Sequence, residues 1–238
     1  LESFEADTIW KDKPYSGRAE YSPDGKTLLV QGPPQLFGDK GVNTADDQLP
    51  NSYDGQLYLY QPEDGKVTPL TKNFTPAVGS AEWINQENIY LSVTEEDYSN
   101  LYRYSTEDAS FQQIDLQVEV MGDIDFARNN PRAIYRGTGM TQPEKLYMLD
   151  LSSDESTLLD APKKEELQEV AFGPTEDWNF TNSKGTVIDG RVYYPPEYDP
   201  EKEYPVIVYY YGGTTPVSRS FDGRYPKNIW AGKGYIVY

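Results

Sequence analysis

A short apolar motif recurs at nearly constant spacing, and that spacing restricts the fold of this chain more than any other feature. Leu57-Tyr58-Leu59-Tyr60 returns 44 residues later as Leu101-Tyr102-Arg103-Tyr104, and after another 45 as Leu146-Tyr147-Met148-Leu149. Each copy runs into a polar turn (Glu63-Asp64-Gly65, Ser105 to Ser110, Ser152 to Ser156) and then into a second strand-like run (Lys66 to Thr71, Phe111 to Leu116, Thr157 to Asp160). Each copy is also preceded by a hairpin pattern in which an aromatic ends one strand and an apolar strand returns. Tyr21 precedes Ser22-Pro23-Asp24-Gly25-Lys26 and Leu28-Leu29-Val30; Trp83 precedes Asn85 to Asn88 and Ile89-Tyr90-Leu91; Phe126 precedes Asn129-Asn130-Pro131 and Ala133-Ile134-Tyr135. Pro-Asp-Gly has a mechanism as a turn, because proline presets φ and glycine takes the left-handed position.

Four strands per unit at a period of about 40 to 50 residues read as blades of a β-propeller. A fourth aromatic, Phe172, closes the series. The spacings Trp83 to Phe126 and Phe126 to Phe172 are 43 and 46, whereas Tyr21 to Trp83 is 62, the excess falling in the Gly, Pro, Asp and Asn-rich stretch Gly32 to Gly55. Only about three blades are present and a closed ring needs about 4 to 8, so the ring is incomplete or is finished by residues outside this sequence. A plain stack of antiparallel sheets is the alternative. Composition agrees with a mostly β chain: 21 Tyr favour pleated, half-buried surfaces, and 19 Gly with 18 Pro interrupt helices and supply turns.

After Phe172 the pattern changes. Asp177 to Ser183 and Thr186 to Pro195 are strand candidates around the hairpin signal Asn182-Ser183-Lys184-Gly185. The loop Pro196 to Pro200 leads to Tyr204-Pro205-Val206-Ile207-Val208-Tyr209-Tyr210-Tyr211-Gly212-Gly213, a continuous apolar run that predicts a strand buried on both faces, as in an α/β sheet. Asn228 to Gly234 predicts the end of a short helix with glycine caps, and Tyr235 to Tyr238 the start of another strand. The expected division is therefore residues 1–172 as the C-terminal part of a propeller and 173–238 as the N-terminal part of an α/β domain.

With these residues in view, the chain resembles the prolyl oligopeptidase family of serine peptidases. The blades with Tyr21 to Lys26, the segment Asp189-Gly190-Arg191-Val192-Tyr193-Tyr194-Pro195-Pro196 and the run Tyr204 to Gly213 carry the likeness. The order of propeller before hydrolase is similar to the dipeptidyl aminopeptidase and acylaminoacyl peptidase branches. The resemblance spans nearly the whole chain but a middle slice of the family's architecture. It implies a mostly β fold, a partial propeller of about three four-stranded blades followed by the first strands of an α/β-hydrolase domain. It further implies that the Tyr of the Tyr-Gly segment, here Tyr211, offers its phenol to the oxyanion hole. Such a preorganised donor stabilises the charge that grows on a carbonyl oxygen as it becomes tetrahedral. Without the resemblance Tyr211 reads as an ordinary aromatic at a strand end, and Tyr209 and Tyr210 are neighbouring alternatives for the matching position.

The departures are equally specific. The chain has no histidine and no cysteine and contains no Gly-x-Ser-x-Gly. It holds no Ser-His-Asp or Cys-His relay, no imidazole or thiolate metal site and no disulfide. The catalytic Ser, Asp and His are expected outside this sequence, and this polypeptide alone is expected to be inactive. A net charge of −18 argues against a nucleic-acid or anionic-membrane partner. The longest apolar stretch falls far short of the roughly 20 residues of a membrane helix. The first residues, Leu-Glu-Ser-Phe-Glu-Ala-Asp, lack the basic start and apolar core of a signal peptide.

Other motifs have plainer readings. Dipeptidyl aminopeptidases hold the substrate's amino group with paired glutamates of the propeller, which brings Glu95-Glu96 and Glu165-Glu166 into view, with solvated loops as the default. Asp222-Gly223-Arg224 reads as a turn before it reads as a carboxylate-binding arginine. Asp39 to Asp47 lacks the alternating spacing of a calcium loop. Asn73-Phe74-Thr75 and Asn179-Phe180-Thr181 are glycosylation sequons, meaningful only in a secretory pathway. The Tyr and Trp side chains could line a sugar-binding surface, yet their recurrence at repeat positions favours core packing.

The leading expectation is a segment of a serine peptidase that hydrolyses oligopeptides through an acyl-enzyme, as an exo- or oligopeptidase. Its partners would be a peptide substrate and the remainder of the same enzyme, and a homo-oligomer is compatible with it. No cofactor or metal is expected, and an extracytoplasmic location is favoured by acidity and family habit. A propeller-type module that binds protein or glycan without chemistry is the alternative.

Overall fold

The computed structural model describes residues 8, 15–45, 47–210, 212–213 and 217–238. The chain forms two compact units, Leu1–Asp115 and Leu116–Tyr238. In the first, β1 (Arg18–Tyr21), β2 (Leu28–Gly32), β3 (Gln56–Gln61) and β4 (Lys66–Pro69) pair as an antiparallel meander. A second meander follows in β5 (Ala77–Trp83), β6 (Asn88–Glu95), β7 (Tyr98–Ser105) and β8 (Ser110–Ile114). The second unit opens with a third, β9 (Val120–Phe126), β10 (Arg132–Gly139), β11 (Gln142–Asp150) and β12 (Glu155–Asp160).

The repeat read from the sequence is a repeat of register. Tyr21 pairs with Leu28, which pairs with Tyr60, which pairs with Val67. The same row runs Trp83, Ile89, Tyr104, Phe111 in the second meander and Phe126, Ala133, Leu149, Ser156 in the third. Each hairpin aromatic therefore stands in line with the last residue of the Leu-Tyr motif two strands away. Such rows of opposed side chains are what stabilise a sheet.

The tyrosines serve the interior more than a surface. Tyr58, Tyr90, Tyr104, Tyr135, Tyr147 and Tyr193 are all buried. In the first unit Leu29, Leu57, Val78, Ile89, Leu91, Val93 and Tyr104 make one apolar cluster, and Leu28, Val30, Leu36 and Tyr58 another. The insertion between β2 and β3 is tied to this second cluster. Leu36 is buried, Phe37 meets Tyr58 edge to face at 5.0 Å, and the Tyr58 hydroxyl donates to the Pro34 and Pro33 carbonyls at 2.9 and 3.0 Å. In the second unit Tyr135 stacks on Tyr147 at 5.1 Å; its hydroxyl donates to Ser156 Oγ at 2.9 Å and accepts the Gln117 N–H at 3.2 Å.

Beyond β12 come a single helical turn, α1 (Lys164–Leu167), and the irregular residues around Phe172, which ends no strand. Next is the expected hairpin of β13 (Thr175–Thr181) and β14 (Val187–Tyr193), with Gly185 at φ 81° in its turn. The last elements are β15 (Val206–Ile207), α2 (Lys227–Ala231) and β16 (Ile236–Val237). β15 and β16 are parallel, β14 and β16 antiparallel, and the sheet order is β13-β14-β16-β15. A parallel pair joined by a segment carrying a helix is the βα crossover of α/β sheets.

One expectation is corrected. The run Tyr204 to Gly213 predicts a strand covered on both faces, but Val206, Val208 and Tyr210 are 57%, 62% and 84% exposed. Burial of both faces needs a covering layer on each. Among the described residues α2 and its neighbours cover one: Ile207 packs with Met140, Tyr193, Ala231 and Val237 while the alternate side chains face outward. Period-two alternation of environment along an uninterrupted apolar sequence is the result.

Candidate functional site

The local sequence places two features at the end of β15. The parallel ladder continues past it, with the Tyr238 N–H donating to Ile207 O at 2.9 Å and the Tyr209 N–H to Tyr238 O at 2.6 Å. The chain thus leaves the sheet at Tyr210 and enters a pair of glycines. Tyr211, the residue matched to the oxyanion donor, lies outside the described residues. Tyr209 and Tyr210, the alternatives for that position, both line a cleft of about 250 Å³ with Asp189, Arg191, Tyr193, Lys227 and Tyr238, and Tyr210 is 84% exposed.

This cleft carries two cations, Arg191 and Lys227, and one carboxylate, Asp189, and is walled by aromatic rings. The Arg191 guanidinium donates through Nη2 to Val217 O at 2.6 Å, and the Lys227 ammonium sits 5.0 Å over the Tyr209 ring. Burial holds the pKa of both cations below its ordinary value, and each carries a further downward push from a neighbouring guanidinium. Burial likewise raises the Tyr193 phenol. β14 brings Arg191 and Tyr193 to one face because they are two residues apart on a strand. Gly190 comes just before Arg191 on the strand, where an added Cβ would run into the Tyr238 ring.

A second constellation lies in the segment between the glycines and α2. Arg219 is buried, yet it ends on two carboxylates, Glu119 Oε1 at 3.1 Å and Asp177 Oδ1. Its side chain is 6% exposed against 36% for Glu119 and 60% for Asp177, so the guanidinium is desolvated while the acids keep part of their hydration. Removing one partner of such a buried charge costs about 3–5 kcal/mol when the remaining charge stays dry. Around it the tip of the β10–β11 hairpin enters the apolar cluster of the last sheet: Met140 is 3% exposed among Tyr193, Ala231 and Val237, with Sδ 3.5 Å from Arg219 Nη1. Further bonds join the same parts. Phe221 N–H donates to Thr138 Oγ1 at 3.1 Å, Asn228 Nδ2 to Met140 O at 2.7 Å, and the Met140 N–H to Glu119 Oε2 at 2.6 Å.

The other sequence candidates are accounted for separately. Glu95 ends β6 and accepts from Asn100 Nδ2 at 3.1 Å and the Tyr102 hydroxyl at 3.0 Å, while Glu96 turns the chain at φ 54°. Glu165 and Glu166 stand on α1, where Glu166 pairs with Lys163 at 2.9 Å. Arg224 lies in the irregular stretch before α2 with its guanidinium 5.4 Å from the Tyr225 ring centre. Asn73 falls in the turn after β4, and Asn179 on β13. Sequence reasoning missed the Glu119–Arg219–Asp177 cluster, whose members stand 100 and 42 positions apart.

Comparison with known proteins locates this geometry. No family model matches the chain. It is 23% identical over 226 residues to dipeptidyl-peptidase 5 of Porphyromonas gingivalis, a match covering 94% of this chain and 31% of that protein. It is 23% identical over 198 residues to the uncharacterized peptidase YuxL of Bacillus subtilis, covering 76% of the chain and 30% of the relative. In structure it is similar to the acylaminoacyl peptidase of Pyrococcus horikoshii, with a TM-score of 0.68 and 23% identity over 93% of this chain and 32% of that one. The chain thus spans about a third of the length of these proteins. The resemblance to the prolyl oligopeptidase family is borne out, and so is the fold class, a mostly β chain with part of a propeller ahead of the first strands of an α/β-hydrolase sheet.

Proposed function

We propose that this chain is a segment of a serine peptidase that hydrolyses peptide bonds of oligopeptides through an acyl-enzyme, with residues 1–172 filtering substrate and 173–238 opening the hydrolase domain. The observation that carries the reading is the sheet order β13-β14-β16-β15, a parallel βα crossover appended to blade-like meanders, in a chain similar to peptidases along most of its length. Since the chain has no histidine, the imidazole of a Ser-His-Asp relay comes from elsewhere in the complete protein, as do the nucleophile and the acid. Tyr211 supplies an O–H to the oxyanion. The Arg191 and Lys227 cations in the cleft beside Tyr209 are available to offset negative charge that grows near the end of β15.

The test uses the complete protein with a serine-reactive fluorophosphonate and an oligopeptide substrate. Labelling of a serine outside residues 1–238, together with turnover, supports the reading; absence of both in folded protein leaves a binding module. Tyr211→Phe is expected to lower kcat by about tenfold to a thousandfold, the range for one oxyanion donor.

A further inference from the structure

We propose that β13 is a dimerisation edge: two copies of the protein pair antiparallel along Thr175–Thr181, about a two-fold axis at Trp178, and so join their last sheets edge to edge. β13 stands at the end of the sheet order β13-β14-β16-β15, and among the described residues no strand pairs with its other side. Where its backbone points follows from the ladder. Pro174 O accepts from the Tyr194 N–H at 3.0 Å and the Asn182 N–H donates to Thr186 O at 2.9 Å, with an uninterrupted register between them. Antiparallel pairing alternates, so Glu176, Trp178 and Phe180 exchange bonds with β14, while the N–H and C=O groups of Thr175, Asp177, Asn179 and Thr181 point to the open side.

Edge strands are ordinarily guarded against self-pairing by lysine, proline, a bulge or an unengaged charge. The strand Thr-Glu-Asp-Trp-Asn-Phe-Thr has no lysine, no proline and no bulge. Its two acids are engaged within the copy: Glu176 accepts from the Tyr194 hydroxyl and Asp177 from Arg219. What the strand presents instead is aromatic. Trp178 and Phe180 are 47% and 40% exposed and stand on one face with ring centres 5.7 Å apart, backed by Tyr238, which meets Trp178 edge-on at 4.9 Å.

Charge selects a second copy as the occupant and fixes the register. With the axis at Trp178, Thr175 opposes Thr181 of the other copy, Glu176 opposes Phe180, Asp177 opposes Asn179 and Trp178 opposes itself. No carboxylate then meets a carboxylate, and every outward backbone group finds a partner. Moving the axis to Asp177 or Glu176 sets that acid against its own copy, and moving it to Asn179 carries Thr175 and Glu176 past the end of the strand. Trp178 falls in a non-hydrogen-bonded pair, where facing Cα atoms lie about 4.5 Å apart and side chains are closest. With the two Phe180 rings it makes one continuous aromatic strip across the axis. The net charge of −18 on each copy opposes association, so the dimer tightens as salt screens it.

The experiment follows the mass of the complete protein by light scattering as it is diluted from about 100 to 0.1 μM, at about 0.05 and 0.5 M salt. The protein is made in bacteria, so that Asn179 of the sequon carries no glycan, and each variant is also melted. Asn179→Glu sets a carboxylate against Asp177 of the other copy twice over, and is expected to raise the dimer dissociation constant at least about tenfold. Asn179→Pro removes an outward N–H that the protomer does not use, and is expected to weaken the dimer while the monomer still melts cooperatively. Trp178→Cys, in 238 residues without a cysteine, is expected to link two copies by a disulfide on air oxidation, because the facing Cα atoms are within reach of one. A monomer at every concentration and salt overturns the inference and means that another part of the complete protein covers this edge. A dimer indifferent to both Asn179 variants, or a Trp178→Cys protein that stays unlinked, overturns it as well. None of these readouts depends on serine labelling or turnover, so the peptidase reading stands or falls separately.

Discussion

Tyr58 offers the sharpest test of how the insertion between β2 and β3 is held. Its side chain is fully buried, and its hydroxyl donates to the carbonyls of Pro33 and Pro34. Tyr58→Phe keeps the ring but strands those carbonyls, at a cost of about 1–3 kcal/mol near neutral pH. The phenol is also pushed up from its ordinary 10 to about 12, first by burial and then by the charge of Asp54. In the unfolded chain the phenol ionises near 10, so its contribution is fully present below about pH 10 and is lost as pH rises through about 12. Two units correspond to about 3 kcal/mol. Urea unfolding of the chain and of Tyr58→Phe between about pH 8 and 12 is therefore expected to show the native protein ahead at first, with its lead shrinking above pH 10. A difference that stays constant over that range refutes the reasoning, because it would mean that the phenol is solvated in the folded state.

Other outcomes follow from the same packing. Met140→Ala is expected to destabilise the second unit by about 2–5 kcal/mol and Met140→Leu by less than about 1.5 kcal/mol, read as shifts of the urea midpoint; equal effects would mean that the hairpin tip is not packed. Gly139→Ala brings a Cβ within 2.5 Å of Glu119 Oε2, so it is expected to cost about 1–3 kcal/mol by displacing that carboxylate, and an unchanged melt would contradict the tip geometry. Glu95→Gln removes the carboxylate that accepts from Tyr102, whose phenol is raised to about 12 by burial first and by this bond second. Spectrophotometric titration should find that phenol lower but still above its ordinary value, and the complete enzyme should keep its KM for peptide. A large rise in KM would return Glu95 to the substrate site.

What could be read from the sequence follows from how local the cause is. The turns after Tyr21, Trp83 and Phe126 are set by neighbouring Pro, Gly and Asn, and the motif spacing carried the register with them: Leu28, Ile89 and Ala133 each pair with the last motif residue. The exposed face of Val206 to Tyr210 was not legible, because an apolar run states what can be buried and leaves open what is there to bury it. The Glu119–Arg219–Asp177 cluster was hidden for another reason. A lone charge in an acidic chain reads as solvated, and only the fold shows that Arg219 is dry and that its partners come from the residue before β9 and from β13. α1 likewise has no apolar periodicity to announce it, since its one turn is Lys164-Glu165-Glu166-Leu167 with no buried residue.

The insertion of Met140 into the cluster of Tyr193, Ala231 and Val237 has a consequence for how such chains can be recombined. A crossover placed near residue 172, where the repeat ends, would look clean in an alignment, yet it would separate Met140 and Glu119 from the Arg219, Asn228 and Ala231 they fit. A chimera that takes β13 to β16 from a relative therefore inherits either a hole where a thioether was or a side chain shaped for someone else's hairpin. The heritable module begins earlier, at Glu119, and an exchange that carries the third meander together with the last sheet should tolerate sequence divergence that a cut at the repeat boundary would not.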